Sequence, residues 1–113
     1  MDMSANEYQM YALRTEAGMH KDYPRILNGV MGLNGEAGEC IDLLKKCYFQ
    51  GHEFDKEHMA KELGDVAWYV AIAADAIGYK LGDIMRMNLD KLAARYPPGF
   101  EDEKSIHRSD GDI

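Results

Sequence analysis

The sequence predicts an all-α protein. Apolar residues recur at the three-and-four spacing of a helix face. No alternation of apolar and polar residues lasts long enough to read as a strand. Glycine or proline interrupts the pattern at Gly18, Pro24, Gly51, Gly78 and Pro97. Ser4 followed by Glu7 has capping-box spacing, so a first helix is expected from Ala5 to about Ala17, stopping near Gly18. A second begins after Pro24 and ends at Gly51. On it Val30, Leu33, Ala37, Cys40, Ile41, Leu44 and Tyr48 share an arc of about 100°, an apolar stripe that must pack on something. Asp55 is a suitable N-cap for the third helix, whose stripe is Met59, Leu63, Val66, Val70, Ala73, Ala74 and Ile77, with Gly78 as its stop. Trp68 and Ile72 fall off that stripe and are expected at a subunit contact, Trp68 alternatively in the core. The fourth helix starts between Leu81 and Asp83 and must end by Pro97, whose ring is incompatible with a helix interior.

The length of 113 residues fits one domain, 1–113, with a core of about 7–100 and a polar tail, 101–113, expected to be mobile or used at a subunit contact. Thirteen basic against twenty acidic residues give a net charge of -7, which disfavours a general binder of nucleic acid or of anionic membranes. Cys40 and Cys47 lie seven positions apart on one helix, about 10 Å along its axis, so they cannot bond within it, and a reduced, cytoplasmic setting is expected. No run of about 18 apolar residues exists to span a membrane. The first fifteen residues carry Asp2, Asn6, Glu7 and Arg14 in place of an apolar signal core.

Four carboxylates carry most of the chemistry. Glu36 and Glu39 in GEAGE, and Glu62 and Asp65 in KELGD, are each spaced i to i+3, which puts each pair on one helix face. Two such helices side by side would aim four hard oxygen ligands at one point, as a magnesium ion needs to orient a polyphosphate. A surface ExxE is common, and interhelical salt bridges are the plain alternative. Position favours metal: Glu62 projects toward the apolar stripe of the third helix, with Tyr69 beside it and Asp65 at the edge, and Glu36 borders the stripe of the second. A carboxylate aimed at a core needs a partner or an ion, and Lys45 and Lys61 project away.

Gly29, Gly32, Gly35 and Gly38 recur every third residue, each costing a helix interior up to about 1 kcal/mol. Either the helix is loose at its start, or another backbone or a ligand comes close. Asn88, Lys91 and Arg95, at i, i+3 and i+7, form a polar and basic strip on the fourth helix. Such a strip can hold phosphate oxygens, Arg95 through paired hydrogen bonds and Lys91 as a point charge. A solvated charged face is the plain reading of the same spacing.

The stretches GLNGEAGECIDLLKK, KELGDVAWYVAIAADAIG and NLDKLAARYPPGF closely resemble the MazG-like branch of the all-α nucleoside triphosphate pyrophosphohydrolases, especially its small single-domain phage and bacterial forms. The likeness covers about Glu7 to Phe100. It implies a four-helix-bundle-like core with an additional N-terminal helix, completed by oligomerisation as a homodimer or homotetramer. It implies magnesium-dependent hydrolysis of a nucleoside or deoxynucleoside triphosphate to the monophosphate and pyrophosphate, to cleanse or adjust a nucleotide pool, with manganese able to substitute. Glu36, Glu39, Glu62 and Asp65 would hold the metal. Asn88, Lys91 and Arg95 sit where the family places nucleotide and phosphate contacts, Lys45 and Lys46 are second-rank candidates, and Tyr69 is placed to touch sugar or base. Glu39, projecting farther from the apolar stripe than Glu36, is the expected proton acceptor, and Glu36 its catalytic companion.

Other chemistries lack their residues. None of His20, His52, His58 or His107 follows a glutamate by three, as a ferritin-like di-iron site requires. No GxxxxGK[ST] loop or zinc pattern is present. His58 projects near Asp65 and Tyr69, although a surface histidine at a helix start is the plainer reading. Two other functions share these features: a non-catalytic helical module that binds a nucleotide or protein, and a phosphoribosyl-ATP pyrophosphohydrolase. The WY after the second acid pair and the RYPPGF ending favour the MazG branch over the latter.

Overall fold

The computed structural model describes residues 2–17 and 22–96. These hold four helices, counting the N-terminal one, and no strand: α1 (Ala5–Glu16), α2 (Arg25–Gln50), α3 (Lys56–Ala76) and α4 (Leu81–Arg95). The expected stops at Gly18 and Pro97 and the expected tail, 101–113, lie outside the described residues. The chain divides into two compact units, Met1–Leu81 and Gly82–Ile113.

Local chemistry sets the boundaries. Glu7 N–H donates to Ser4 Oγ and Ser4 N–H to Glu7 Oε1, both at 3.1 Å, closing the capping box of α1. Those bonds hold the Glu7 carboxyl below its ordinary pKa. Pro24 precedes the first turn of α2, and Gly51 ends that helix with φ at 74°, a left-handed conformation that costs glycine nothing. Asp55 caps α3 by accepting from His58 N–H at 3.0 Å. At the other end of α3, Gly78 also takes a positive φ of 85°.

In the first unit α3 is central, packed by α2 on one side and by α1 on the other. The α2–α3 pair is antiparallel and tight. A Cβ on Gly29 would stand 3.0 Å from Ala73 Cβ and 3.1 Å from its Cα, and one on Gly32 would overlap the Tyr69 ring. Gly35 and Gly38 face open space. Of the two readings of this glycine run, close approach of a neighbouring helix holds for its first half.

The core lies between α1 and α3: Ala12, Ala71, Ile72 and Leu81 are buried, with Tyr8, Leu13, Trp68 and Val70 packed around them. This corrects the expectation for Ile72, while Trp68 takes the core alternative. They cover α1, and Ile72 is the largest fully buried side chain among the described residues. Val30, Ile41 and Tyr48 on α2, and Leu63 and Ile77 on α3, were expected to pack, yet each is half or more exposed. A helix held on two sides buries two arcs, and a single-stripe reading captures only one of them.

Two polar clamps bind the three helices. Gln9, 5% exposed, donates from Nε2 to the carbonyls of Ala71 at 3.2 Å and Tyr79 at 3.1 Å, and its Oε1 accepts from Leu81 N–H at 2.9 Å. The Arg25 guanidinium donates to Glu16 of α1 through Nε and Nη2, and to Asp75 of α3 through Nη2 at 2.8 Å. These hydrogen bonds raise the Arg25 pKa further above its ordinary value. In the second unit, α4 presents Asn88 and Lys91 to solvent, while Arg95 in its last turn is half-buried.

Candidate functional site

The antiparallel pairing of α2 and α3 brings the two acid motifs to the same level. Ligand oxygens of Glu36, Glu62 and Asp65 all lie within 4.8 Å of one another, the single group of this kind among the described residues. Glu39, one turn further along α2, is exposed and outside that group, though its charge acts on Glu36.

Electrostatics at this point are unfavourable without a counter-charge. The Glu36 carboxyl is pushed above its ordinary pKa, first because it shares a hydrogen bond with Glu62, then by burial, then by the charges of Asp65, Glu62 and Glu39. The Glu62 side chain is 16% exposed, and its Oε2 is buried with no hydrogen-bond donor. A buried carboxylate oxygen without a donor calls for a proton or a cation. The three converging carboxylate oxygens of this group fit a hard divalent ion, which takes oxygen ligands.

The remaining predicted residues are spread over α2, α3 and α4. Tyr69, one turn beyond Asp65 on α3, is half-buried, packs against Gly32, and meets Trp68 edge-on with ring centroids 5.0 Å apart. Lys46 pairs with Asp42 at 3.5 Å and lines a pocket of about 280 Å³ together with Leu43, Cys47, His52 and His58. Lys45 lines a different cavity, an open groove of about 590 Å³ formed with Ile41, Leu44, Tyr48 and Phe49. Asn88, Lys91 and Arg95 share α4 in the second unit. Lys61, excluded above as a partner for the acids, pairs instead with Glu57 at 3.5 Å.

Two neighbours of the acids carry weight that sequence reasoning did not give them. His58 places Nε2 3.3 Å from Glu62 Oε1. The i to i+4 spacing signals this contact, but a pairing so common on helix surfaces has little force until the burial of Glu62 is known. Tyr8 of α1 donates its hydroxyl to the Gly64 carbonyl at 3.5 Å, and burial, then the charge of Asp65, raises its pKa. No local pattern marks Tyr8, because the contact joins residues 56 apart.

Known proteins resemble the stretch that holds these motifs. Residues 27–100 match the family described as the MazG nucleotide pyrophosphohydrolase domain. Over 73 residues the chain is 37% identical to the gene 37 protein of Mycobacterium phage L5, an overlap of 61% of this chain and 64% of that protein. The matched part is thus just under two thirds of that relative's length. No solved structure matches.

Proposed function

Because the chain belongs to the MazG nucleotide pyrophosphohydrolase domain family, we propose that it hydrolyses a nucleoside or deoxynucleoside triphosphate to the monophosphate and pyrophosphate, with magnesium, so as to cleanse or adjust a nucleotide pool. The observation that carries this reading is the convergence of Glu36, Glu62 and Asp65, with one oxygen of Glu62 buried and without a donor. Glu36, Glu62 and Asp65, with Glu39 at the rim, hold the metal. When bound, magnesium draws charge from phosphoryl oxygens and makes a nearby water more acidic. Glu39 takes the proton of the attacking water on its carboxylate, since it is exposed and stands outside the converging trio. Glu36 keeps the trio's charge fixed on the α2 side. Asn88, Lys91 and Arg95 bind the phosphate oxygens and the nucleotide, Tyr69 contacts sugar or base, and Lys45 and Lys46 add charge at longer range.

A panel of the eight common NTPs and dNTPs tests the reading, with pyrophosphate release followed in magnesium and in EDTA. Magnesium-dependent release from at least one is expected, and its ranking names the substrate. A folded protein that binds magnesium and cleaves none of the eight would count against a pool-cleansing role.

The active form is a homodimer or homotetramer. The apolar side of α2 supports this: Ile41, Tyr48 and Phe49 are 63%, 81% and 83% exposed, while the buried apolar core of the described chain comprises only Ala12, Ala71, Ile72, Ala74 and Leu81. So small a core leaves a domain of this length short of apolar burial, and covering the α2 face with a second copy supplies it. Light scattering is expected to give at least a dimer. Tyr48→Glu, which sets a charge in that face, is expected to shift the distribution toward monomer, and a native monomer at working concentration would contradict the assignment.

A further inference from the structure

We propose that His58 is a positioning residue for the metal site: its imidazole holds one oxygen of Glu62, so that the other oxygen stays turned toward Glu36 and Asp65. The proposal rests on the reading of Glu36, Glu62 and Asp65 as metal ligands and adds a residue that lies outside their group. The two carboxylate oxygens of Glu62 have different environments. Oε1 lies 3.3 Å from His58 Nε2, whereas Oε2 is buried and has no donor. At 3.3 Å the imidazole stands within ion-pair distance of Oε1.

The contact differs in kind from an ordinary pair on a helix surface. Lys61 and Glu57 have the same i, i+4 spacing on the same helix, yet their side chains are 74% and 81% exposed and they gain little from each other in water. Glu62 is covered, so its rotamer decides whether three oxygens converge. His58 is itself well placed to hold that rotamer, because its backbone is fixed by the bond from its N–H to the Asp55 cap. His58 also lines the 280 Å³ pocket that includes Lys46 and His52. A donor on the far oxygen of a ligating carboxylate restricts that ligand's orientation, and loss of such a partner typically weakens metal binding about 10- to 100-fold.

The test is manganese binding, read from the paramagnetic resonance signal of the free ion, in the full chain and three variants, with metal-free melting temperatures beside it. His58→Ala is expected to weaken binding about tenfold or more while melting like the native protein. His58→Gln, whose amide nitrogen can stand close to the place of Nε2, is expected to recover most of the affinity. Glu62→Gln is expected to lose the site. His58→Ala within twofold of native, with Glu62→Gln defective, overturns the role of His58 and leaves the metal assignment standing. Equal weakening in His58→Ala and His58→Gln overturns it too, since then the hydrogen bond is not what matters. Native binding by Glu62→Gln overturns the metal assignment and takes the proposal with it.

Discussion

Glu62→Gln is expected to lower pyrophosphate release by about 100-fold or more while leaving the metal-free protein as stable as the native one, or more so. The two effects have one cause. On the function proposed above, Glu62 supplies a negative oxygen to a cation site, and without the cation that same charge is a liability in the fold. The raised pKa of Glu36 records this, its largest cause being the hydrogen bond shared with Glu62. An amide in place of the carboxylate removes one charge and offers N–H groups to Glu36 and Asp65. A residue that mattered only for packing would behave in the opposite way, losing stability and keeping turnover. Thermal melts in magnesium and in EDTA, run beside the assay, separate the cases. Magnesium is expected to raise the melting temperature of the native protein and to leave the variant nearly unmoved.

Protons should substitute for the ion in the melting experiment. A carboxyl whose pKa is higher in the folded state than in the unfolded chain binds its proton more tightly when folded. In EDTA, the contribution of Glu36 therefore makes the fold more stable as pH falls through its raised value, and the gain is complete below the ordinary carboxylate range. Magnesium at neutral pH removes most of this dependence.

Gln9→Ala is expected to destabilise the first unit by about 2–4 kcal/mol, the larger structural effect of any single polar change considered. The side chain is buried and all three of its bonds go to backbone groups of α3, the turn that follows it and the first residue of α4: the carbonyls of Ala71 and Tyr79, and the N–H of Leu81. Leu81 opens α4, so its N–H has no partner within the helix. Truncation leaves that buried donor orphaned, at about 1–3 kcal/mol, and opens a void beside Ala12 and Ala71. Gln9→Glu makes a useful contrast. It can still accept from Leu81, but it sets a carboxylate against two carbonyls, so it should also fail. Urea denaturation is the measurement, and a fall in midpoint at constant slope is the expected form. A Gln9→Ala midpoint equal to native would show that water takes over the three bonds.

The helix ends were legible because each is a local event. Ser4 with Glu7, Pro24, Gly51 and Asp55 act on residues within one turn, and their expected roles match the structure. The level pairing of GEAGE with KELGD was also readable in outline, since a short connection between two long helices forces them antiparallel. What α3 buries was not. Its burial depends on the presence of α1 on the side away from α2, and Ile72 and Trp68 give no hint of that neighbour in their spacing. Gln9 and Tyr8 escaped for the same reason, as their partners lie more than fifty residues away. Glu39 and Glu36 were separable in sequence by how far each projects from the apolar stripe, and the tertiary pairing agrees, leaving Glu39 exposed and outside the converging trio.

The glycine contacts on α2 bear on how the acid site can open. At one end α2 is pinned where Gly29 lies against the Ala73 backbone; at the other it is tied to α3 by the short connection from Gly51 to Asp55. Glu36 lies between, seven residues or about 10 Å from the pin, so its stretch of helix behaves as a beam supported at both ends. Mutual repulsion of the carboxylates must then be taken up in side-chain torsions, because neither support lets the helices spread. Rearrangement among Glu36, Glu62 and Asp65 is thus confined to their side chains, with the gauge between α2 and α3 unchanged.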